Sequence, residues 1–273
     1  MKKVKVAVAG AAGRMGRRIL SLASADSDFQ IVGALERRDA DLLGTDVGSL
    51  IGQTPLGVRL TSDPAEALRS CQVLIDFTHP NATEEHVRSA VRLGVGLVIG
   101  TTGLSERTRA FLKRSSRRIP ILQAPNMSAG VNFLFELVTR AAEVLRPGYD
   151  IEITETHHRM KKDAPSGTAL ELARLIAGIK GWDPKKAFHY GRRGETGERK
   201  KNTLAIHALR GGDVVGEHTV SFLGDGEVLE LVHRATSRDA FARGALLAAK
   251  FVAGRKRGLY NMRNALCAPS ANG

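Results

Sequence analysis

Cysteine is almost missing from this chain of 273 residues: Cys71 and Cys267 are the whole complement, and they lie far apart. That scarcity excludes a disulfide framework and points to a reducing, cytoplasmic compartment. Aromatic residues are also few, at 5%. No apolar run reaches the length of a membrane span, and the short apolar start at Val4–Ala9 breaks at Gly10, too early for a signal peptide. No internal repeat or low-complexity segment occurs. Acidic residues are outnumbered, 28 against 41 lysines and arginines, for a net charge of +13. The cations fall in short groups at 37–38, 113–118, 192–201 and 255–257, without interleaved aromatics or a nucleic-acid module. They read as solvated faces, and neither a nucleic acid nor a membrane is expected as partner. A basic surface attracts an anionic coenzyme or a dicarboxylate equally well.

Glycine, by contrast, is plentiful at 29 residues, and the length suffices for two modest domains, as in an α/β protein with many tight turns. The stretch that organises the chain runs from Glu155 to Ala169: Glu-Thr-His-His-Arg-Met-Lys-Lys-Asp-Ala-Pro-Ser-Gly-Thr-Ala. It lies between an alternating strand-like run, 150–156, and a helical run, 169–179, so a strand end, a polar loop and a helix start fall together. Such a junction suits a small anion. Ser166 or Thr168 can cap the helix, and the first-turn N–H groups around Gly167 carry the positive end of the helix dipole. Lys161 adds a point charge, while His157 and His158 can exchange protons near neutral pH. Adjacent histidines on a strand point to opposite faces and no neighbour has ligand spacing, so no metal is expected.

The N-terminal run Val4–Ala9 reads as a buried parallel strand and leads into Gly10-Ala11-Ala12-Gly13-Arg14-Met15-Gly16 and a helix over 17–25. Strand, glycine-rich turn and helix start form a dinucleotide-binding beginning, here spaced GxxGxxG. A second strand over 30–35 ends in Glu36, placed to accept from a ribose hydroxyl, followed by Arg37 and Arg38, which suit a 2′-phosphate. The pair predicts use of NADH or NADPH. Residues 39–61 read as a loop with a short strand near Val58. A short helix is predicted over 64–70, a strand over 73–77, and a helix to Leu93 capped by Asn81 with Glu84 at capping-box spacing. A further strand, Gly96–Ile99, closes in Gly100-Thr101-Thr102-Gly103, whose glycines would admit a nicotinamide ring. A helix over 105–116, a strand over 119–123 and the loop Ala124-Pro125-Asn126-Met127-Ser128 complete the first domain.

A long helix over 131–145, stopped by Pro147 and Gly148, opens the second domain. Its strands, 150–156, 203–209, 214–223 and Glu227–Ala235, are expected to form a mixed sheet of about four strands, with 181–202 a mobile basic loop. The last helix, Asp239–Ala253, and the tail at 258–262 are expected to pack back on the first domain, with 267–273 disordered. The expected architecture is α/β: a Rossmann-like dinucleotide-binding domain, 1–128 with 238–273, and an α+β domain, 129–237, for substrate binding and oligomerisation.

Taken together, Gly-Ala-Ala-Gly-Arg-Met-Gly at 10–16, Leu-Glu-Arg at 35–37, Asp-Phe-Thr at 76–78, Gly-Thr-Thr-Gly at 100–103, Ala-Pro-Asn-Met-Ser at 124–128, the block at 157–168 and Gly-Asp-Val-Val-Gly-Glu-His at 212–218 resemble the 4-hydroxy-tetrahydrodipicolinate (dihydrodipicolinate) reductase family. The resemblance covers nearly the whole chain. It implies NADH- or NADPH-dependent reduction of a cyclic imine dicarboxylate on the diaminopimelate route to lysine, by a homotetramer. It implies His157 and Lys161 as the proton-exchanging groups and His158, Ser166, Gly167, Thr168 and Arg238 as carboxylate contacts. Cofactor positions implied are Gly10, Ala11, Ala12, Gly13, Arg14, Met15, Glu36, Arg37, Gly100, Thr101, Thr102, Ala124, Pro125, Asn126 and Met127. The chain departs from the pattern at His79, where an arginine is frequent. The chemistry needs both domains, and the segments near Ser128 and Arg238 are the expected hinge. A non-catalytic dinucleotide sensor would have no use for His157 and Lys161; a reductase acting on an aldehyde or amino acid is the nearer rival.

Overall fold

Val6, Ala7, Val8 and Ala9 have no exposed surface, as a parallel strand covered on both faces requires. They end β1 (Val4–Ala9), from which the first of two units is built. The computed structural model describes residues 3–145 and 148–268. After β1 come α1 (Arg14–Ala25), β2 (Phe29–Leu35), α2 (Val47–Leu50), β3 (Leu60–Thr61), α3 (Pro64–Leu68), β4 (Val73–Asp76), α4 (Pro80–Leu93), β5 (Gly96–Ile99), α5 (Glu106–Ser115) and β6 (Pro120–Gln123). Then follow α6 (Ala129–Val144), β7 (Asp150–His157), α7 (Gly167–Lys180), α8 (Pro184–Ala187), β8 (Phe188–His189), β9 (Leu204–Arg210), β10 (Gly216–Gly224) and β11 (Glu227–Ala235). The chain ends with α9 (Asp239–Ala253), β12 (Gly258–Tyr260) and α10 (Met262–Leu266).

The first unit comprises Met1–Ala129 with Arg238–Gly273. Its seven strands, ordered β12-β6-β5-β4-β1-β2-β3, all run parallel. The order reverses beside β1, with β2 on one side and β4 on the other, and ligands of such sheets bind at the carboxyl ends there. Two apolar layers cover the sheet, one including α1 and α9 residues such as Ile19, Leu20, Ala245 and Ala249, the other including Val87, Ala90 and Leu112. The tail packs back as expected, since β12 joins the sheet beside β6.

In the second unit, Gly130–Ser237, five strands take the order β11-β10-β7-β9-β8. The pairs β7/β10 and β10/β11 are antiparallel, while β7/β9 and β8/β9 are parallel. One face, with Ile151, Ile153, Leu204, Val220 and Phe222, is buried with Leu134 and Val138 of α6 and Leu172 and Ile176 of α7. Each such side chain contributes roughly 1.5–3 kcal/mol by leaving water. Alternation along β7 buries Ile151, Ile153 and Glu155, so a carboxylate continues the apolar register.

Several expectations need correction. The mixed sheet has five strands rather than about four, because β8 joins its edge. The stretch 181–202 contains α8 and β8, and Arg199 ties it to the Asp150 carboxylate at 2.6 Å, the Glu152 carboxylate at 3.2 Å and the Ile151 carbonyl at 3.2 Å. The loop over 39–61 includes α2, capped by the Asp46 carboxylate. Asn81 does not cap α4: the N-cap is His79, with Pro80 following, and Glu84 accepts a hydrogen bond from Thr108 instead. Proline prefers the first helical turn, which shifts the start ahead of Asn81. Helix α6 ends at Val144; Pro147 lies outside the described residues, as does 269–273 of the tail expected to be disordered, whereas Cys267 and Ala268 follow α10 directly. Among the described residues no helix is long and apolar enough to cross a membrane.

Candidate active site

Because Gly10 has φ +72° and an added Cβ would approach the Phe77 carbonyl oxygen to 2.8 Å, only glycine fits where β1 turns into α1. Gly16 is needed for a different reason, since its Cβ would lie 2.1 Å from the Gly10 oxygen. Helix and turn therefore touch main chain to main chain. No side chain caps α1, so Arg14, Met15 and Gly16 open the helix with its positive end unblocked. Beside them lies a cleft of ≈ 710 Å³ lined by Gly10, Gly13, Glu36, Arg37, Phe77 and His86, among others. The Glu36 carboxylate accepts from the Ala12 and Arg37 amides, both at 3.1 Å, so it is fixed at the end of β2. Arg37 lies 3.5 Å from Asp39 with both side chains largely exposed, a pairing of little energetic weight. Glycine turn, open helix start and acidic strand end fit a dinucleotide.

Apart from Thr101, the sequence reading gave no role to the members of the polar network under this cleft. Asp76 is fully buried at the end of β4 and accepts from Thr78 Oγ1 at 2.6 Å and Thr101 Oγ1 at 3.2 Å. Its second oxygen meets His86 Nδ1 of α4 at 3.1 Å. The ends of β4 and β5 and the flank of α4 are thereby held together. Thr101 is buried in this network while Thr102 is exposed. Gly100 is required by Phe77, whose ring would lie 2.4 Å from an added Cβ. Ala124 and Met127 are buried, Pro125 is exposed, and Asn126 Oδ1 accepts from the Ser128 amide at 2.9 Å. Ala11 is buried as well, which limits these alanines and Met127 to contacts through the backbone.

In the second unit the central stretch folds around Glu155. This carboxylate has no exposed surface, yet it accepts from His157 Nδ1 at 2.6 Å, from both Arg210 Nη atoms at 2.8 Å and from the Ser166 amide at 3.0 Å. Burial pushes the carboxyl group up, but those bonds from His157, Arg210 and Ser166 outweigh it and hold Glu155 at about 2. His157 closes β7 and His158 follows it, and the turn after them brings Lys161 Nζ to the Asp163 carboxylate at 2.9 and 3.0 Å. His218 of β10 meets the His157 ring edge-on, with centroids 5.2 Å apart. Burial, with repulsion from His157 in the same direction, pushes His218 down to about 3.

Ser166, rather than Thr168, caps α7: its Oγ accepts from the Ala169 amide at 3.2 Å and contacts His218 Nε2 at 3.0 Å. It is only 2% exposed, and its hydroxyl faces inward. Gly167 is exposed at the helix start and Thr168 is half-buried. Thus His157, Lys161, Ser166 and Gly167 gather at one end of the second unit, whereas Arg238 belongs to the first, at the N-cap of α9. Among the described residues no group of His, Cys, Asp and Glu is arranged to hold a metal ion. Glu155, Arg210 and His218 were missed as participants. The available signal was an acidic residue at an inward position of an alternating strand, which must find partners.

Comparison with known proteins agrees along the whole chain. Residues 4–127 match the family model described as dihydrodipicolinate reductase, N-terminus, and 130–266 that described as its C-terminus. A 4-hydroxy-tetrahydrodipicolinate reductase of Anaeromyxobacter sp. is 50% identical over 268 residues, covering 98% of this chain and 99% of that one. Another, from Thiobacillus denitrificans, is 49% identical, with coverage of 96% and 98%. Among solved structures, a dipicolinate-bound dihydrodipicolinate reductase from Paenisporosarcina sp. superposes with TM-score 0.76 at 24% identity, covering 97% of this chain and 100% of that one. An amine dehydrogenase from Mycobacterium smegmatis shares the fold at TM-score 0.62 and 13% identity, with 95% of each chain covered. Two-domain coverage at half identity, with the glycine turn and the histidine block in place, makes this chain a member of the 4-hydroxy-tetrahydrodipicolinate reductase family, oxidoreductases of lysine biosynthesis that use NADH or NADPH.

Proposed function

We propose that the chain reduces the cyclic imine formed from 4-hydroxy-tetrahydrodipicolinate to tetrahydrodipicolinate, the reaction its family is named for, with His157 and Lys161 as its proton-exchanging groups. The observation that carries this assignment is the ionised, buried Glu155 bonded to His157, with Lys161 in the turn that follows. A reduced imine must gain a proton, and a positioned acid speeds that step by roughly 10²- to 10⁴-fold. Lys161 keeps its ammonium on Asp163, and a substrate group would take that carboxylate's place. Gly167 and Thr168 at the positive end of α7, with His158, hold the substrate carboxylates, while Ser166 steadies that turn from within. Fixing both carboxylates orients the ring, an effect worth several kcal/mol.

The first unit is the coenzyme side, held by Gly10, Ala11, Ala12, Gly13, Arg14, Met15, Glu36, Arg37 and the strand-end loops at Gly100, Thr101, Thr102 and at Ala124, Pro125, Asn126, Met127. The bound nicotinamide supplies the hydride. Nucleotide choice rests on Glu36 and Arg37 acting in opposite senses. The outer face of the second sheet exposes Val228, Val232, Leu209 and Leu223 by 58, 45, 48 and 37%, a pattern that supports a homotetramer built on that face; light scattering of the purified protein tests it. The reducing cytoplasm is the compartment proposed from the cysteine usage.

Nicotinamide absorbance followed with freshly generated substrate tests the reaction. Loss of turnover in Lys161→Ala and His157→Ala, with coenzyme affinity retained, is the expected result; equal losses in both quantities would overturn the division of roles.

A further inference from the structure

We propose that Glu155 and Arg210 form a positioning pair for this reaction, fixing the His157 proton on Nδ1 and anchoring the turn that carries Lys161. The inference rests on the reading of His157 as a proton-exchanging group. Neither member of the pair need touch the substrate.

An ionised carboxylate can only accept hydrogen bonds. Glu155, held at about 2, is ionised throughout the neutral range. The 2.6 Å contact to His157 is therefore donated by Nδ1–H, and Nε2 is left as the nitrogen that gives and takes the working proton. That nitrogen lies over Gly216, where an added Cβ would come within 3.0 Å of it. A side chain there would push the imidazole by a few tenths of an ångström. When His157 gives up its Nε2 proton, the electron pair stays on Nε2 and the neutral ring already has the tautomer that Glu155 favours.

Arg210 makes the arrangement possible. A buried carboxylate without a matched cation is strongly destabilising, and the guanidinium meets both Glu155 oxygens in a two-pronged contact at 2.8 Å. The same Nη2 also donates to the Asp163 carbonyl at 2.8 Å. Asp163 in turn holds Lys161 Nζ, and the Gly211 amide donates to the His157 carbonyl at 3.0 Å. One side chain on β9 thus sets the carboxylate behind His157 and the backbone behind Lys161.

Glu155→Gln separates positioning from bulk, because it keeps the shape and removes the charge. Its amide oxygen stays with the Ser166 amide and Arg210 Nη2, so its NH₂ takes the side of His157 Nδ1 and Arg210 Nη1, where only the imidazole can accept, and drives the proton to Nε2. In the full-length protein labelled with ¹⁵N-histidine, the wild type should show His157 protonated at Nδ1, and Glu155→Gln should show the proton moved. Its kcat should fall roughly 10²- to 10⁴-fold, as when an acid–base histidine loses its orienting carboxylate, while KM for the coenzyme stays unchanged. Wild-type turnover in Glu155→Gln, or a wild-type His157 protonated only at Nε2, would overturn the proposal. Should Glu155→Gln fail to fold, Arg210→Lys decides, since it keeps the charge but loses the fork: a fall in kcat at constant coenzyme KM with a shifted His157 resonance supports the pair, and unchanged turnover overturns it. Activity lost in His157→Ala but kept in Glu155→Gln sinks the pair alone, whereas activity kept in His157→Ala sinks the functional reading with it.

Discussion

In the first unit the tightest positions are set by main chain pressed against main chain: Gly16 on the Gly10 oxygen, and the Met127 oxygen 1.7 Å from where Gly244 would carry a Cβ. In the second unit the corresponding places are set by charge, with His157, Glu155 and Arg210 joined through half-buried hydrogen bonds and Lys161 tied on through exposed ones at Asp163. The first arrangement tolerates no added volume at these glycines. The second tolerates isosteric change but depends on which atoms are charged. Binding of an invariant coenzyme suits the former, and proton transfer the latter.

The largest effect should come from breaking the charged side of this comparison. Lys161→Ala and His157→Ala are each expected to lower kcat by roughly 10²- to 10⁴-fold, with coenzyme affinity, measured by nicotinamide fluorescence, unchanged. The matching break in the first unit is Gly16→Ala, whose methyl group would meet the Gly10 oxygen at 2.1 Å. Overpacking of this kind costs roughly 1–3 kcal/mol, so weaker coenzyme binding and a lowered denaturant midpoint should appear together. The proton-exchanging groups of the second unit would be untouched. A Gly16→Ala protein with normal coenzyme affinity would end the contrast.

Acid should separate the units as well. Glu155 and Glu152 are both held at about 2, below the usual carboxylate value of 4.5. The stability each contributes is complete above pH 4.5 and is lost as pH falls through 2. His218 is pushed down to about 3 from 6.5, so below pH 6.5 the unfolded chain binds a proton that the folded one refuses, and stability drops until about pH 3. All three lie in the second unit. The chain's single tryptophan, Trp182, packs against the second unit's core, so its fluorescence reports that unit. The urea midpoint read from Trp182 should fall between pH 7 and pH 4.5, and His218→Gln should flatten that fall. An unchanged midpoint over this interval would contradict the burial assigned to His218.

Legibility in the sequence followed the same division. Strand β5 and helices such as α9 were readable to the residue, because apolar runs and helical periodicity are local properties. The glycine turn was readable too, since only a close backbone approach needs glycine at 10 and 16. Asn81 misled because proline at 80 outweighs a side-chain cap one residue later. Strand β8 escaped notice because two residues carry no period. Within the site, His157 and Lys161 stand in one block, whereas Arg210 is 55 residues from Glu155, and nothing local announces that partnership. Asp76 and His86 were hidden likewise, being joined only once β4 and α4 pack.

The smallest expected effect concerns Glu36, a charged group lining the first unit's cleft. Its carboxylate accepts from the Ala12 and Arg37 amides at 3.1 Å, and at the end of β2 it is placed to accept from a ribose hydroxyl. A 2′-phosphate at the same place would meet that negative charge, with Arg37 as the offsetting cation. Glu36→Ala removes one acceptor for NADH and one repulsion for NADPH. A single hydrogen bond is worth about 0.5–1.5 kcal/mol, so the ratio of kcat/KM for NADPH to that for NADH should rise by roughly 3- to 10-fold, mostly through KM. A change in kcat of the size expected for Lys161→Ala would mean instead that Glu36 shapes the turn itself through the Ala12 amide, and the main chain of the first unit would then depend on a side-chain charge after all.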